Sequence, residues 1–242
     1  MFIDYQSMSV WELLAFNAPG WGGTLLKGLA LSLEIAILGF LIGLLIGIFG
    51  ALGKLSKNII SRDLWACYTT AVRAIPELVL ILLIYFALPS ALNALLNAIG
   101  LEEIEINAFI AGVLVISFVQ GAYATEVIRS AMMAIPTGQI EAAQAFAMPK
   151  FKILYRISLP AMLPHALPGL SNLWLIATKD TALLAVVGFT ELTLAARQAA
   201  GSTKEQLLFL SVAGLLYFII SLLSDVFFKY LIRRANKGQM HG

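Results

Sequence analysis

Long apolar runs separated by short clusters of charge set the pattern of this chain. A bilayer core about 30 Å thick needs roughly 20 residues of apolar helix, because each helical residue advances about 1.5 Å. Five stretches meet that requirement, at 24–52, 64–88, 106–128, 165–189 and 206–228. The first is uncharged from Ile35 through Gly53. The pattern predicts an all-α polytopic membrane protein with five transmembrane helices.

The charges between these runs alternate in sign. Lys54, Lys57 and Arg62 lie between the first and second runs, Lys150, Lys152 and Arg156 between the third and fourth, and Lys229, Arg233, Arg234 and Lys237 after the fifth. The other segments carry Asp4 and Glu12, then Glu102, Glu103 and Glu105, then a balanced set of Glu191, Arg197, Lys204 and Glu205. Basic residues collect on the cytoplasmic side, so the N-terminus is expected outside and the C-terminus in the cytoplasm. Residues 1–23 read as an outer-surface segment. Within it Met8, Trp11, Leu14 and Ala15 have helical spacing, and the tryptophan suits a short helix lying on the membrane surface. Asp4 and Glu12 stand where a cleaved leader would carry basic residues, so the first span is expected to stay in the membrane. No internal repeat or linker divides the chain, and 1–242 is read as a single transmembrane domain.

Composition agrees with lipid as the solvent. The chain is 60% hydrophobic and 12% charged, against about 25% charged in soluble domains. A net charge of +2 gives no argument for nucleic acid. Cys67 stands alone, without a partner for a disulfide, zinc or redox motif.

Inside the spans, Gly39, Gly43 and Gly47 recur every fourth residue and mark a face where another helix approaches closely. Pro76, Pro164 and Pro168 are expected to break or kink the starts of the second and fourth spans. Glu34, Arg73, Glu77, Glu126, Arg129, Lys179 and Asp180 fall within or at the edge of spans. A charge at the bilayer centre costs roughly 2.5–3.5 kcal/mol on insertion scales, so each should face protein or water. Glu34 falls near the midplane and Lys179 beyond it toward the outside, and with Asp180 they are expected to surround a mid-membrane cavity. Glu126 and Arg129, one turn apart, are expected to pair with each other or with Arg73 and Glu77, as a gate or as neutralising pairs.

The segment 134–164 is the longest connection on the basic side. Its alanine-rich start predicts a short helix from Thr137, stopped at Met148-Pro149, and then an amphipathic piece over Phe151, Ile153, Leu154 and Ile157. Alanines and Phe146 on a water-facing loop call for a covering protein surface.

Glu141-Ala142-Ala143, followed at fixed spacing by Ile157-Ser158-Leu159-Pro160, resembles the signature loop of permeases in bacterial ATP-binding-cassette importers. Ala147 stands where that family has glycine. Arg73-Ala74-Ile75-Pro76, Ala122 through Arg129, Ile135-Pro136 with Gly138-Gln139, and Lys179-Asp180-Thr181-Ala182-Leu183 resemble further blocks of its polar amino acid subfamily. The chain is most similar there to histidine, lysine, arginine and ornithine permeases, with opine permeases close by.

The resemblance implies the fold of a type I importer permease with a cytoplasmic coupling helix in a bacterial inner membrane. It implies four kinds of partner: the bilayer, a homologous or identical second permease, two ATPase subunits that use ATP and Mg, and a periplasmic substrate-binding protein. No cofactor is expected in this chain. Coupling to the ATPase falls to Gly138, Glu141, Ala142, Ala143, Phe146 and Ala147. Glu34, Glu77, Lys179, Asp180 and Thr181 are the substrate-binding candidates, and Arg73, Glu126 and Arg129 the gating or ion-pair candidates. The implied activity is import of a polar, basic amino acid by alternating access, with opines or a neutral or acidic amino acid as other cargoes.

Enzyme chemistry is not expected. Gly53-Lys54 lacks the remaining glycine and the hydroxyl residue of a phosphate-binding loop, and no metal-binding or nucleophile motif is present. Two rival readings are an ion-coupled transporter using Glu34, Asp180 and Glu126 as a relay, and a non-transporting scaffold. The first lacks inverted repeats, and the second leaves the intramembrane charges unused.

Overall fold

The computed structural model describes Tyr5, residues 8–103 and residues 107–237. Asp4, Glu105, Ile106 and His241 lie outside the described residues. Helices account for nearly all the rest. They are α1 (Val10–Leu13), α2 (Gly22–Lys54), α3 (Ile59–Ala74), α4 (Glu77–Ala98), α5 (Ala108–Met133), α6 (Thr137–Ala145), α7 (Lys150–Ile153), α8 (Leu159–Asp180), α9 (Leu192–Thr203) and α10 (Gln206–Asn236). Five segments among them are long and apolar enough to cross a bilayer: α2, α4, α5, the continuous stretch Lys150–Val187 that contains α8, and α10.

The expected second span, 64–88, is in fact two helices. Pro76 has no N–H to donate and disfavours helical backbone at the residue before it. Ile75 is accordingly extended, at φ −97° and ψ 137°, and the chain restarts at Glu77. Pro164 and Pro168 behave differently, because α8 runs through both without a break. The irregularity sits earlier. Leu154–Ser158 forms a wide π turn just before Pro160, where the proline ring would clash with a carbonyl one turn back. At the other end α8 tightens into a 3₁₀ turn, Thr181–Val187, stopped by Gly188 at φ 83°.

The core is a seam between α2 and α5. An added Cβ at Gly39, Gly43 or Gly47 would fall 2.6, 3.0 or 2.5 Å from Ile116, Gln120 or Ala124, so the two backbones touch at every turn. The contacts advance together along both helices, so α2 and α5 run parallel, as first and third spans must. The span window of α5 is 67% buried and those of α4 and α10 are 11%, which makes α5 the central helix and leaves the others facing outward. Leu83 and Phe86 on α4 and Leu223 and Phe227 on α10 are among the apolar side chains left exposed there.

The sequence pattern does not reveal α9. Its alanines, Ala195, Ala196, Ala199 and Ala200, are buried against Leu13, Leu25 and Phe209. The surface helix expected near residues 8–16 is the single turn α1, closed by reciprocal hydrogen bonds between Ser9 and Glu12. Those Ser9 donors hold the Glu12 carboxyl below the usual range. Trp11 is exposed there, while Leu13 points inward.

The seam gives a paired expectation. Gly47→Leu should lower the stability of the chain by about 1–3 kcal/mol or more, because α2 and α5 cannot separate without opening the core. Gly201→Ala, where an added Cβ meets nothing within 4 Å, should be neutral or slightly stabilising. Thermal unfolding in detergent compares the two.

Candidate functional site

The break at Pro76 positions the central polar cluster. Glu77 occupies the first turn of α4, where the free N–H groups of the helix start favour a carboxylate. It lies beside both Asp180 and Tyr123. Asp180 closes α8 at 7% exposure and accepts a hydrogen bond from Gln120 Nε2 at 3.2 Å. The Arg73 guanidinium stands over the Tyr123 ring, 5.9 Å from its centre. Among the described residues neither Glu77 nor Asp180 forms an ion pair. Two adjacent carboxylates repel unless a proton or cation comes between them.

The other substrate candidates point elsewhere. Successive helical residues turn by about 100°, so Lys179, Asp180 and Thr181 diverge. Lys179 is exposed and lines a groove with Gly214, Tyr217, Phe218 and Ser221. The buried Thr181 hydroxyl donates to the Thr178 carbonyl at 2.8 Å. Glu34 is exposed on α2 and makes no hydrogen bond or ion pair with a described residue. The expected cavity ringed by Glu34, Lys179 and Asp180 is therefore not formed within this chain.

The gating candidates also separate. Glu126 pairs with Arg129 at 2.9 Å, one turn along α5, and with Lys54 from the end of α2. Lys54 donates in turn to Thr69 Oγ1 at 2.9 Å on α3. Arg73 and Glu77 do not join this network; Tyr123 links them instead to the Asp180 cluster. The pattern of charges counts Lys54 only among the loop cations, since its partner is far away in sequence.

Glu191 reads in the sequence as one of a balanced set on an outer connection, yet it is fully buried. It caps α9, accepting from the Thr193 and Leu194 N–H groups at 2.8 and 2.9 Å. The Ser32 hydroxyl of α2 and the Tyr217 hydroxyl of α10 also donate to it, at 3.2 and 2.8 Å. Gly28 makes room, because a Cβ there would fall 3.0 Å from the Glu191 backbone. This carboxylate ties three helices together using neutral donors alone.

In the loop, Thr137–Ala145 is the expected helix. Ala143 is buried, while Gly138, Glu141 and Ala142 are exposed. Phe146 and Phe151 are 84% and 80% exposed. Ala147 takes φ 50°, so the left-handed turn forms although glycine is absent, at a cost of about 1–2 kcal/mol.

Residues 24–237 match the family described as binding-protein-dependent transport system inner membrane component. The chain is 39% identical over 219 residues to the histidine/lysine/arginine/ornithine transport system permease protein HisQ of Escherichia coli (strain K12), covering 90% of this chain and 96% of that one. It is 40% identical over 228 residues to the nopaline transport system permease protein NocQ of Agrobacterium fabrum (strain C58 / ATCC 33970), covering 93% and 97%. A solved structure titled an amino acid ABC transporter with histidines superposes with a TM-score of 0.74 at 28% identity, covering 88% of this chain and 95% of that one.

Glu191→Ala would leave buried hydroxyl and N–H donors unpaired, at about 1–3 kcal/mol each. We expect a large fall in detergent melting temperature or loss of the protein from the membrane, and a smaller fall for Glu191→Gln, measured side by side.

Proposed function

Because this chain belongs to the family of binding-protein-dependent transport system inner membrane components, we propose that it carries a polar, basic amino acid into the cytoplasm by alternating access. In this family the chain is the membrane-spanning subunit of an ATP-driven importer, and ATP is hydrolysed by separate ATPase subunits. A substrate-binding protein is the further partner that the family implies.

One observation carries the mechanism: the end of α6 and the short α7 after it present Phe146 and Phe151 almost bare on a loop whose Ala143 is buried. An apolar, rigid projection of this kind suits a groove on an ATPase subunit. Two ATPases and a second permease complete the complex, with Mg held by the ATPase alongside ATP. The N-terminus is outside and the C-terminus cytoplasmic, an orientation supported by Lys150, Lys152 and Arg156 beside the loop. ATPase closure then moves the loop, the loop moves α5 and α8 to which it is continuous, and the central cluster opens to one side or the other. Gly138, Glu141, Ala142, Ala143, Phe146 and Ala147 are the coupling residues of this reading. The rigid α2–α5 pair is the frame.

A basic cargo is supported by the relatives' printed substrates, histidine, lysine, arginine, ornithine and nopaline, and by the unpaired Glu77 and Asp180. Lys179 and Glu34, both exposed on this chain, are assigned to the substrate path in the assembled complex, and Thr181, buried next to Asp180 in sequence, to the same path. The Lys54, Glu126 and Arg129 network sits nearer the cytoplasmic end as a gate, with Arg73 controlling access to the cluster.

Glu141→Lys should leave folding intact and reduce ATP-driven uptake of L-arginine by reconstituted complex about tenfold or more, as loss of an interface anchor does. Unchanged uptake would remove α6 as the docking element. Glu34→Gln should raise the KM for L-arginine more than that for neutral L-citrulline, and equal changes would count against a direct contact.

A further inference from the structure

The floor of the central cluster holds an atom that the fold leaves without a partner. Gln120 is 1% exposed, and its Nε2 donates to Asp180 Oδ2 at 3.2 Å. Its Oε1 is buried and receives no hydrogen bond from the chain. With Asp180 ionised, or its proton shared with Glu77, the carboxylate oxygen beside the amide accepts, which places Nε2 there and Oε1 away from it. An orphaned buried acceptor is destabilising, because it has given up water without gaining a donor. Methionine would fill the same volume beside Gly43 without that cost.

Three acceptors therefore share one neighbourhood: Gln120 Oε1, on the amide whose Nε2 binds Asp180 at 3.2 Å, the Asp180 carboxylate, and the Glu77 carboxylate beside it. No basic side chain pairs with either acid among the described residues. A proton shared by Glu77 and Asp180 would relieve their repulsion but leave Gln120 Oε1 unmet. A cation with several N–H donors answers all three needs together. Arg73 is held over Tyr123 and does not supply one.

We infer that Gln120 is a specificity-determining residue: its Oε1, with Asp180 and Glu77, forms an acceptor-only pocket for the cationic end of the substrate. This rests on the importer reading above. A planar guanidinium, all donors and no acceptor, fits such a pocket best. The neutral urea of citrulline has the same shape, but its carbonyl would face acceptors. Glu77 and Tyr123, both partly exposed, form the mouth, and Asp180 and Gln120 the floor.

The experiment is equilibrium binding of L-arginine and L-citrulline to purified permease–ATPase complex without its binding protein, alongside ATP-driven arginine uptake by the fully reconstituted complex. Wild type should prefer arginine. Gln120→Met should weaken arginine binding about tenfold, the effect of losing one hydrogen bond to a charged group, and leave citrulline within about twofold. Gln120→Glu keeps an acceptor there and should retain arginine binding, which guards against a Met variant that fails to assemble. Unchanged arginine affinity in Gln120→Met, or equal losses for both ligands, would overturn the assignment while leaving the importer reading intact. A wild-type complex that neither binds nor takes up arginine would bring down the basic-substrate reading and this inference with it.

Discussion

Close approach of two parallel helices is the constraint on which the rest depends. Gly39, Gly43 and Gly47 remove side chains from one face of α2, and Ile116, Gln120 and Ala124 of α5 fill the space. In a bilayer, where apolar side chains gain little by leaving lipid, such contact rests on dispersion and shape. Because the register is locked, the ends of the seam are locked too. Lys54 arrives beside Glu126 at one end, and farther along the same face Gly28 admits the backbone of Glu191. Gln120, whose Cβ rests on Gly43, reaches Asp180 from the middle of the seam.

The intramembrane charges meet three different environments. Glu126 is neutralised by Lys54 and Arg129. Glu191 is held by hydroxyl and backbone donors with no cation at all. Glu77 and Asp180 have each other, one glutamine and one tyrosine. Of these three, the last lacks a cation or a full set of donors among the described residues. A membrane interior penalises incompleteness heavily, and that cost is the basis for proposing a transient cationic partner there.

The loop between α5 and α8 and the central cluster are joined through continuous helices. The loop helix α6 follows α5 after a short turn, and α7 leads through the wide π turn into α8. Asp180 is the last residue of α8, and Gln120 and Tyr123 belong to α5. A displacement of the loop thus reaches both walls of the cluster through rigid helices. The π turn is where the backbone departs from a regular α-helix on the way into α8, and the break at Ile75 is the separate interruption that sets Glu77 at the start of α4.

What the sequence by itself determined was whatever depends on local composition and spacing. The five apolar runs, the glycine face of the first span, the start of the loop helix at Thr137 and the resemblance to importer permeases were all legible there. Each is a property of neighbours along the chain. The tertiary structure alone decided what depends on facing. It turned Lys179, Asp180 and Thr181 in three directions, brought Lys54 to Glu126, split the second span at Pro76 while letting α8 continue through Pro164 and Pro168, and buried Glu191 with α9. Alanine and glutamate at 191–200 carry the same composition whether they line a surface loop or a packed helix. The difference lies in donors from Ser32 and Tyr217, which are distant along the chain and adjacent only once α2, α9 and α10 have packed.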